Sequence, residues 1–151
     1  MNNWQINDLR REIINNGARQ KVLVAGRRFG KSILSLMWLL TKEVQPGERR
    51  WIVGPTYRSL KSTTWPMLRS IMRQHEGAVI NESDLSIKLP NDAEIALKGA
   101  EQENNLRGAG LNMVCMEEYS YIKPHVYEEI IYPMLTTTQG CLLYTSDAAD
   151  E

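Results

Sequence analysis

The chain has 151 residues, of which 42% are hydrophobic and 24% are charged. This length suits one domain with a real core rather than a two-domain enzyme, and the composition is that of an ordinary globular protein. No apolar run approaches the roughly eighteen residues of a membrane span, and the N-terminus lacks the pattern of a signal peptide, so we expect a cytoplasmic chain. The two cysteines, Cys115 and Cys141, have no CxxC spacing, which argues against a disulfide framework or a zinc site.

The formal net charge of zero conceals an uneven distribution of charge along the chain. Residues 1–75 carry 14 Lys and Arg against 4 Asp and Glu, whereas residues 76–151 carry 4 against 14. A basic half suits a polyanion such as a nucleotide or DNA, and an acidic half can supply metal-binding or catalytic carboxylates. Ordinary solvated surface charge explains the same numbers, so charge alone leaves both interpretations open.

The first half of the chain is typical of a buried strand, a glycine loop and a buried helix, followed by a second strand. Residues 21–25 are a short β-branched apolar run, and residues 33–40 are too apolar for a surface helix. Residues 50–54 predict the second strand, which ends at a proline. From residue 57 to residue 74 apolar residues recur at helical spacing, and Pro66 predicts either a kinked helix or two helices in tandem.

The second half predicts a hairpin, a further apolar strand and a further helix. Residues 86–89 and 94–98 alternate in polarity on either side of a Pro-Asn-Asp turn, which is typical of a β-hairpin. Residues 111–116 are an apolar strand candidate that stops at two glutamates. A helix can then run from residue 125 to residue 131 and end before Pro133.

A phosphate loop is predicted between the first strand and the first buried helix. Residues 25–32 match the pattern G-x-x-x-x-G-K-[ST] at every position except the first, where Ala25 replaces glycine. Gly30 lets the backbone close around phosphate oxygens, Lys31 would reach the β and γ phosphates, and Ser32 would bind Mg²⁺. The predicted nucleotide-binding residues are Gly26, Arg27, Arg28, Phe29, Gly30, Lys31 and Ser32. The alternative is a glycine turn with an exposed lysine.

Four segments, in order, resemble the large terminase subunit of tailed bacteriophages. Residues 26–32 are similar to that family's phosphate loop, with arginines inside it, and residues 51–58 are similar to its second motif. Residues 106–110, followed by residues 113–118, resemble its Arg-Gly segment and the Walker B strand after it. The likeness covers roughly residues 18–140. It implies a three-layer α/β P-loop NTPase of the ASCE/RecA-like kind, in which a mostly parallel central sheet carries a β-hairpin insertion.

The two glutamates that follow the predicted Walker B strand are candidates for metal binding and catalysis. By the resemblance, Glu117 is the metal-side carboxylate, where the commoner residue is Asp. Glu118 is the predicted catalytic base, which would orient and deprotonate the attacking water. An acidic pair at a strand end is also typical of a solvated turn, which is the alternative.

Two arginines compete for the role of stabilising charge on the γ-phosphate. Arg27 lies where terminases carry a phosphate-loop arginine, so it would act within the subunit. Arg107 resembles the position proposed to act across a subunit interface in a ring, although a plain loop residue beside two glycines explains it equally well. For adenine recognition, Trp4 could stack and Gln5 could form a hydrogen bond, but an N-terminal Trp that packs on the domain is the simpler interpretation.

The resemblance also implies a function. It is that of an ATP-hydrolysing, Mg²⁺-dependent motor, which drives double-stranded DNA into a viral procapsid in the host cytoplasm. The expected partners are double-stranded DNA, the portal protein, the small terminase subunit and copies of the same chain in a ring, with no membrane partner. The C-terminal nuclease domain of that family would be absent from this chain. Two alternatives stay open: another P-loop helicase or translocase ATPase, and a nucleotide-binding fragment that cannot turn over.

The last eleven residues, 141–151, have two interpretations. As protein, they begin with a strand, and Thr145 and Ser146 imitate the family's Ser/Thr-rich coupling motif. As nucleic acid, they look like the in-frame translation of a transposon-end sequencing adapter, which we favour because the Pro and Gly expected after that motif are missing. The predicted organisation is therefore an incomplete ATPase domain at residues 1–140 and an artefactual tail at residues 141–151.

Overall fold

The computed structural model describes residues 8–26, 30–108 and 110–147, and strands and helices alternate along them. The helices are α1 (Asp8–Asn15), α2 (Lys31–Thr41), α3 (Tyr57–Ser62), α4 (Thr64–Met72) and α5 (Tyr132–Thr138). The strands are β1 (Gln20–Ala25), β2 (Arg49–Gly54), β3 (Val79–Asn81), β4 (Ser86–Lys88), β5 (Glu94–Gly99), β6 (Met113–Met116) and β7 (Cys141–Asp147). The described residues also form 3-10 turns at Glu103–Leu106 and Tyr119–Tyr121 and a π-helix at Val126–Ile131. Among the described helices, none is long and apolar enough to cross a membrane.

The seven described strands form one mixed sheet in the order β1-β7-β6-β2-β5-β4-β3. Neighbouring strands from β1 to β5 run parallel, whereas β5, β4 and β3 pair antiparallel at the other edge. The carboxyl ends of the parallel strands therefore meet along one edge of the sheet. Ligands of open α/β sheets bind at that edge.

Helices cover both faces of the sheet because its central strands are apolar on both sides. Along β2, Ile52 belongs to a core cluster with residues of α2 and α4. Trp51 and Val53 belong to a second cluster with residues of the π-helix and α5. Successive side chains of a strand point to opposite faces, so a strand covered on both faces needs a continuous apolar run. The predicted three-layer α/β class with a mostly parallel sheet is confirmed.

The position of the first strand differs from its prediction. β1 was expected to be buried, but Val22 and Val24 are 70% and 60% exposed. The strand lies at the edge of the described sheet with β7 as its neighbour, and no described element covers the face that carries these valines. An apolar β-branched run predicts a strand, but it does not distinguish a central strand from an edge strand.

Two other elements also extend or refine the predictions. The helix expected to end before Pro133 instead continues through it, because the π-helix runs into α5 and Pro133 lies in the first turn of α5. A first-turn N–H has no intrahelical partner, so proline is tolerated there. The hairpin between β4 and β5 is confirmed, whereas β3 was not predicted. Around Pro66 the structure contains two helices in tandem, α3 and α4.

A buried arginine fixes the end of α2 to β2. Arg50 is 1% exposed, and its guanidinium donates hydrogen bonds to the carbonyls of Leu39, Lys42 and Glu43 at 2.6, 2.8 and 3.0 Å. It also forms an ion pair with Glu48 at 2.8 Å. The last carbonyls of a helix lack intrahelical donors, so the guanidinium satisfies groups that burial would leave unpaired. This contact anchors the helix whose opposite end carries the phosphate loop.

Candidate functional site

A cleft of about 560 Å³ opens at the carboxyl edge of the parallel strands. Its walls come from the start of α2, from the segment between β2 and α4, and from the residues after β6 and at the end of β7. Five of the predicted site residues line it: Gly30, Lys31, Ser32, Glu117 and Glu118. Further lining residues are Pro55, Ser59, Thr63, Tyr121, Thr145 and Asp147. The fold thus brings the two strongest sequence motifs to the same cleft.

The phosphate-loop side of the cleft begins at a left-handed glycine. Gly30 has φ +83° and ψ +41°, a conformation that glycine adopts readily because it has no Cβ. α2 starts at the next residue, so its free N–H groups and the positive end of its dipole lie beside the cleft. The exposed Gly26 contributes a carbonyl that accepts a hydrogen bond from Lys31. Arg27, Arg28 and Phe29, which were predicted to complete the loop, lie outside the described residues.

The side chain of Lys31 is held across the loop. Its Nζ donates hydrogen bonds to the carbonyls of Ala25 and Gly26 at 2.9 and 3.1 Å, and it forms an ion pair with Asp147 at the end of β7. Asp147 belongs to the tail at residues 141–151, and no sequence motif indicated its contact with the loop. A nucleotide phosphate that reaches Lys31 would take the place of this carboxylate.

The neighbouring residues Glu117 and Glu118 differ sharply in environment. Glu117 is 8% exposed, and its backbone N–H donates to the carbonyl of Val53 at 2.8 Å, which continues the ladder between β6 and β2. Burial raises the pKa of Glu117 from 4.5 to about 7, a hydrogen bond from Thr64 opposes this, and the charge of Glu118 adds to it. Glu118 is exposed and has left-handed backbone angles, φ +50° and ψ +47°.

The two carboxylate oxygens of Glu117 have different surroundings. Oε2 accepts a hydrogen bond from Thr64 Oγ1 at 3.2 Å. Oε1 is buried and has no hydrogen-bond partner among the described residues. A buried carboxylate oxygen without a donor is unfavourable, so this oxygen is suited to a cation.

The opposite wall of the cleft comes from α3 and was not predicted as part of the site. Thr56 caps this helix by accepting a hydrogen bond from the N–H of Ser59 at 3.1 Å. Glu101 accepts a hydrogen bond from the N–H of Tyr57 at 2.8 Å, which ties the helix start to the end of β5. These contacts hold Ser59 and Thr63 where they line the cleft. The threonine cap was a readable signal for the helix, but nothing in its spacing indicated the cleft.

Arg107 does not line the cleft formed by the described residues. It is exposed and follows the 3-10 turn that ends at the buried Leu106. The next residue, Gly108, lies close to the guanidinium of Arg49, since a Cβ on this glycine would be 3.4 Å from it. The role of Arg107 across a subunit interface stays a prediction. Trp4 and Gln5, considered for adenine, lie outside the described residues.

Known proteins with similar sequence and fold are large terminases. The large terminase subunit of Thermus phage G20c is 27% identical over 149 residues, which cover 85% of this chain and 31% of that protein. The large terminase ATPase domain of Thermus phage P74-26 aligns with a TM-score of 0.80 at 23% identity, over 97% of this chain and 67% of that chain. The fold is that of a large-terminase ATPase domain. The resemblance drawn from the four sequence segments is confirmed at this level.

A further solved structure with the large-terminase fold contains a nucleotide. This large terminase, from another thermophilic bacteriophage and in complex with ATP-γ-S, aligns with a TM-score of 0.65 at 14% identity, over 92% of this chain and 37% of that chain. No family model matches the chain. The chain spans about a third of the length of the curated relative, 31%.

Proposed function

We propose that this chain binds ATP in the cleft and hydrolyses it with the help of Mg²⁺. The supporting observation is the convergence of Gly30, Lys31, Ser32, Glu117 and Glu118 on one cleft. The fold that carries this cleft is shared with large-terminase ATPase domains, and one large terminase with this fold is described in complex with ATP-γ-S.

The phosphate loop would hold the triphosphate. The N–H groups at the start of α2 would donate to phosphate oxygens, and the residues from Gly26 to Phe29 would complete the cradle. Lys31 would exchange Asp147 for oxygens of the β and γ phosphates. Arg27 within the subunit, or Arg107 from a neighbouring copy, would stabilise the charge that develops on the γ-phosphate.

The residues on the other side of the loop fit a magnesium ion. Hard cations bind carboxylate and hydroxyl oxygens, and the unpartnered Oε1 of Glu117 and the hydroxyl of Ser32 belong to residues of the same cleft. When bound, Mg²⁺ neutralises phosphate charge and orients the γ-phosphate. Glu117 and Ser32 would be its protein ligands.

Glu118 would act as the general base. Its carboxylate is exposed at the cleft beside the metal-side residue, where a water molecule can reach it. It would accept a proton from this water as the water oxygen attacks the γ-phosphorus and the bond to the bridging oxygen breaks, which releases ADP.

For the whole protein we propose the ATPase motor of a terminase large subunit, which moves double-stranded DNA into a procapsid in the host cytoplasm. Residues 1–140 would be an incomplete ATPase domain, and the nuclease domain would lie in the remainder of a longer protein. The portal protein, the small terminase subunit and further copies of the chain are the proposed partners. The alternatives are another P-loop translocase and a fragment that binds nucleotide without turnover.

We also propose that residues 141–151 derive from a sequencing adapter. In the structure their first seven residues form β7, whose buried Leu142 and Leu143 fill the position between β1 and β6. The natural protein would need a strand at this position too. Sequencing the gene from a library made without transposon insertion should reveal another apolar strand after Gly140. Recovery of the same eleven residues would contradict the proposal.

Binding of ATP-γ-S with Mg²⁺ tests the assignment of the cleft. Lys31→Ala should lower the affinity about ten- to a hundredfold, because it removes charge-assisted hydrogen bonds to phosphate. Lys88→Ala, an exposed lysine on β4, is the matched control and should bind like the wild type. A folded wild-type chain that does not bind, or a Lys31→Ala variant that binds equally well, would overturn the proposal.

A further inference from the structure

Thr64 is a buried polar residue that lies next to the candidate metal site but does not line the cleft. It is the first residue of α4 and is fully buried, at 0% exposure. Its helix is fixed by Trp65 and Leu68, which are 2% and 0% exposed in the core. A buried hydroxyl needs a hydrogen-bond partner, and the carboxylate of Glu117 accepts from Thr64 Oγ1 at 3.2 Å.

The backbone around Glu117 fixes where its side chain starts but not how its carboxylate is turned. The N–H of Glu117 is held by the carbonyl of Val53, yet three side-chain torsions separate this backbone from the carboxylate oxygens. Within the described part of the chain, the carboxylate has one hydrogen-bonded oxygen, toward Thr64, and one buried oxygen without a partner. The hydroxyl of Thr64 therefore decides which oxygen stays available.

We propose that Thr64 is a positioning residue, which holds Oε2 of Glu117 so that Oε1 is presented to the magnesium ion of the nucleotide. This inference rests on the proposed function of the cleft. Carboxylates that bind metals are themselves held by outer hydrogen bonds, and loss of such a partner lowers metal affinity about ten- to a hundredfold. Thr64 acts through Glu117 and does not itself touch nucleotide or metal.

The test compares Thr64→Val, which keeps the shape and removes the hydroxyl, with Thr64→Ser, which keeps the hydroxyl and removes the methyl group. For each folded chain, ATP-γ-S affinity is measured in EDTA and across a Mg²⁺ titration. Thr64→Val should raise the Mg²⁺ midpoint about ten- to a hundredfold and leave the affinity in EDTA unchanged. Thr64→Ser should stay within about threefold of the wild type, since its hydroxyl can still donate.

The outcomes separate this inference from the proposed function. If wild-type binding responds to Mg²⁺ and Thr64→Val has the same midpoint, the positioning role is overturned and the nucleotide site stands. If Thr64→Ser is as impaired as Thr64→Val, the methyl group matters through packing, and the inference is again overturned. If the folded wild type shows no nucleotide binding, the proposed function fails and this inference with it. Thr64→Ala, which also lacks the hydroxyl, replaces Thr64→Val if that variant does not fold and should show the same raised midpoint.

Discussion

Lys31 and Asp147 form an ion pair inside the cleft although 116 positions separate them in the chain. The parallel pairing of β1 and β7 accounts for this contact, because Ala25 lies opposite Asp147 where both strands end. Lys31 then reaches back to the same strand ends, where it also bonds the carbonyls of Ala25 and Gly26. A bound triphosphate must therefore compete with Asp147 for the lysine.

Removing the charge of Asp147 should strengthen nucleotide binding. Partly exposed ion pairs contribute up to about 1 kcal/mol, which corresponds to roughly fivefold in affinity. Asp147→Asn should raise the affinity for ATP-γ-S by about this factor, measured by calorimetric titration. Asp92→Asn makes the same charge change at an exposed turn and should have no effect. A lowered affinity in Asp147→Asn would contradict competition for Lys31.

The left-handed backbone of Glu118 predicts an exchange of stability for activity. A non-glycine residue in this conformation is strained by about 1–2 kcal/mol, and asparagine tolerates it better than most residues. Glu118→Asn should therefore raise the free energy of unfolding by about 1 kcal/mol in thermal or denaturant unfolding. Glu118→Gln has no such preference and serves as the control. If Asn is no more stable than Gln here, the strain is absent.

Arg50 should be one of the most sensitive positions for stability. Its removal would leave the carbonyls of Leu39, Lys42 and Glu43 and the carboxylate of Glu48 without their donor. We expect Arg50→Ala to destabilise the fold by about 3–5 kcal/mol, measured by chemical unfolding. The exposed Arg73→Ala is the matched control and should change stability by less than about 0.5 kcal/mol. Equal effects of both substitutions would show that the Arg50 contacts are unimportant.

The contact of α4 with Glu82 should weaken in acid. The indole N–H of Trp65 donates to Glu82 at 2.8 Å and, with Arg69, lowers the pKa of Glu82 from 4.5. The unfolded chain then binds the proton more readily, so this stabilisation is present above pH 4.5 and is lost as the pH falls through the lowered pKa. The difference in Tm between wild type and Glu82→Gln should therefore shrink below pH 4.5.

The exposed Glu76→Gln provides the control for this acid titration. Its difference from the wild type should not follow the same pH dependence, because Glu76 lacks the contacts of Glu82 with Trp65 and Arg69. A gap between wild type and Glu82→Gln that is equally large at low and neutral pH would contradict the assigned role of Glu82.

Local sequence signals were sufficient for much of the fold and for the residues at the centre of the site. Apolar runs predicted β1, β2 and β6, and the glycine pattern predicted the loop before α2, because these features depend on a few neighbouring residues. The resemblance added the order of the motifs. The convergence of Lys31 with Glu117 and Glu118 follows once the strands that carry them are parallel.

Contacts between distant residues could not be predicted in this way. The bond from Thr64 to Glu117 spans 53 positions, and neither residue carries a local pattern that names the other. Arg50 read as part of a strand, although its guanidinium caps the end of α2. The exposed edge of β1 depends on strand order, and the helix through Pro133 depends on a π-helix that supplies its preceding turn.

Steady-state ATP hydrolysis by the wild type and Glu118→Gln, with ATP binding measured on both, tests the central claim most directly. The wild type should hydrolyse ATP with Mg²⁺, whereas Glu118→Gln should bind ATP equally well and turn over at least about a hundredfold more slowly, since it lacks the base. Glu129→Gln, an exposed glutamate of the π-helix, should behave like the wild type. A folded wild type that binds ATP without hydrolysing it, or a Glu118→Gln variant with wild-type turnover, would contradict the account.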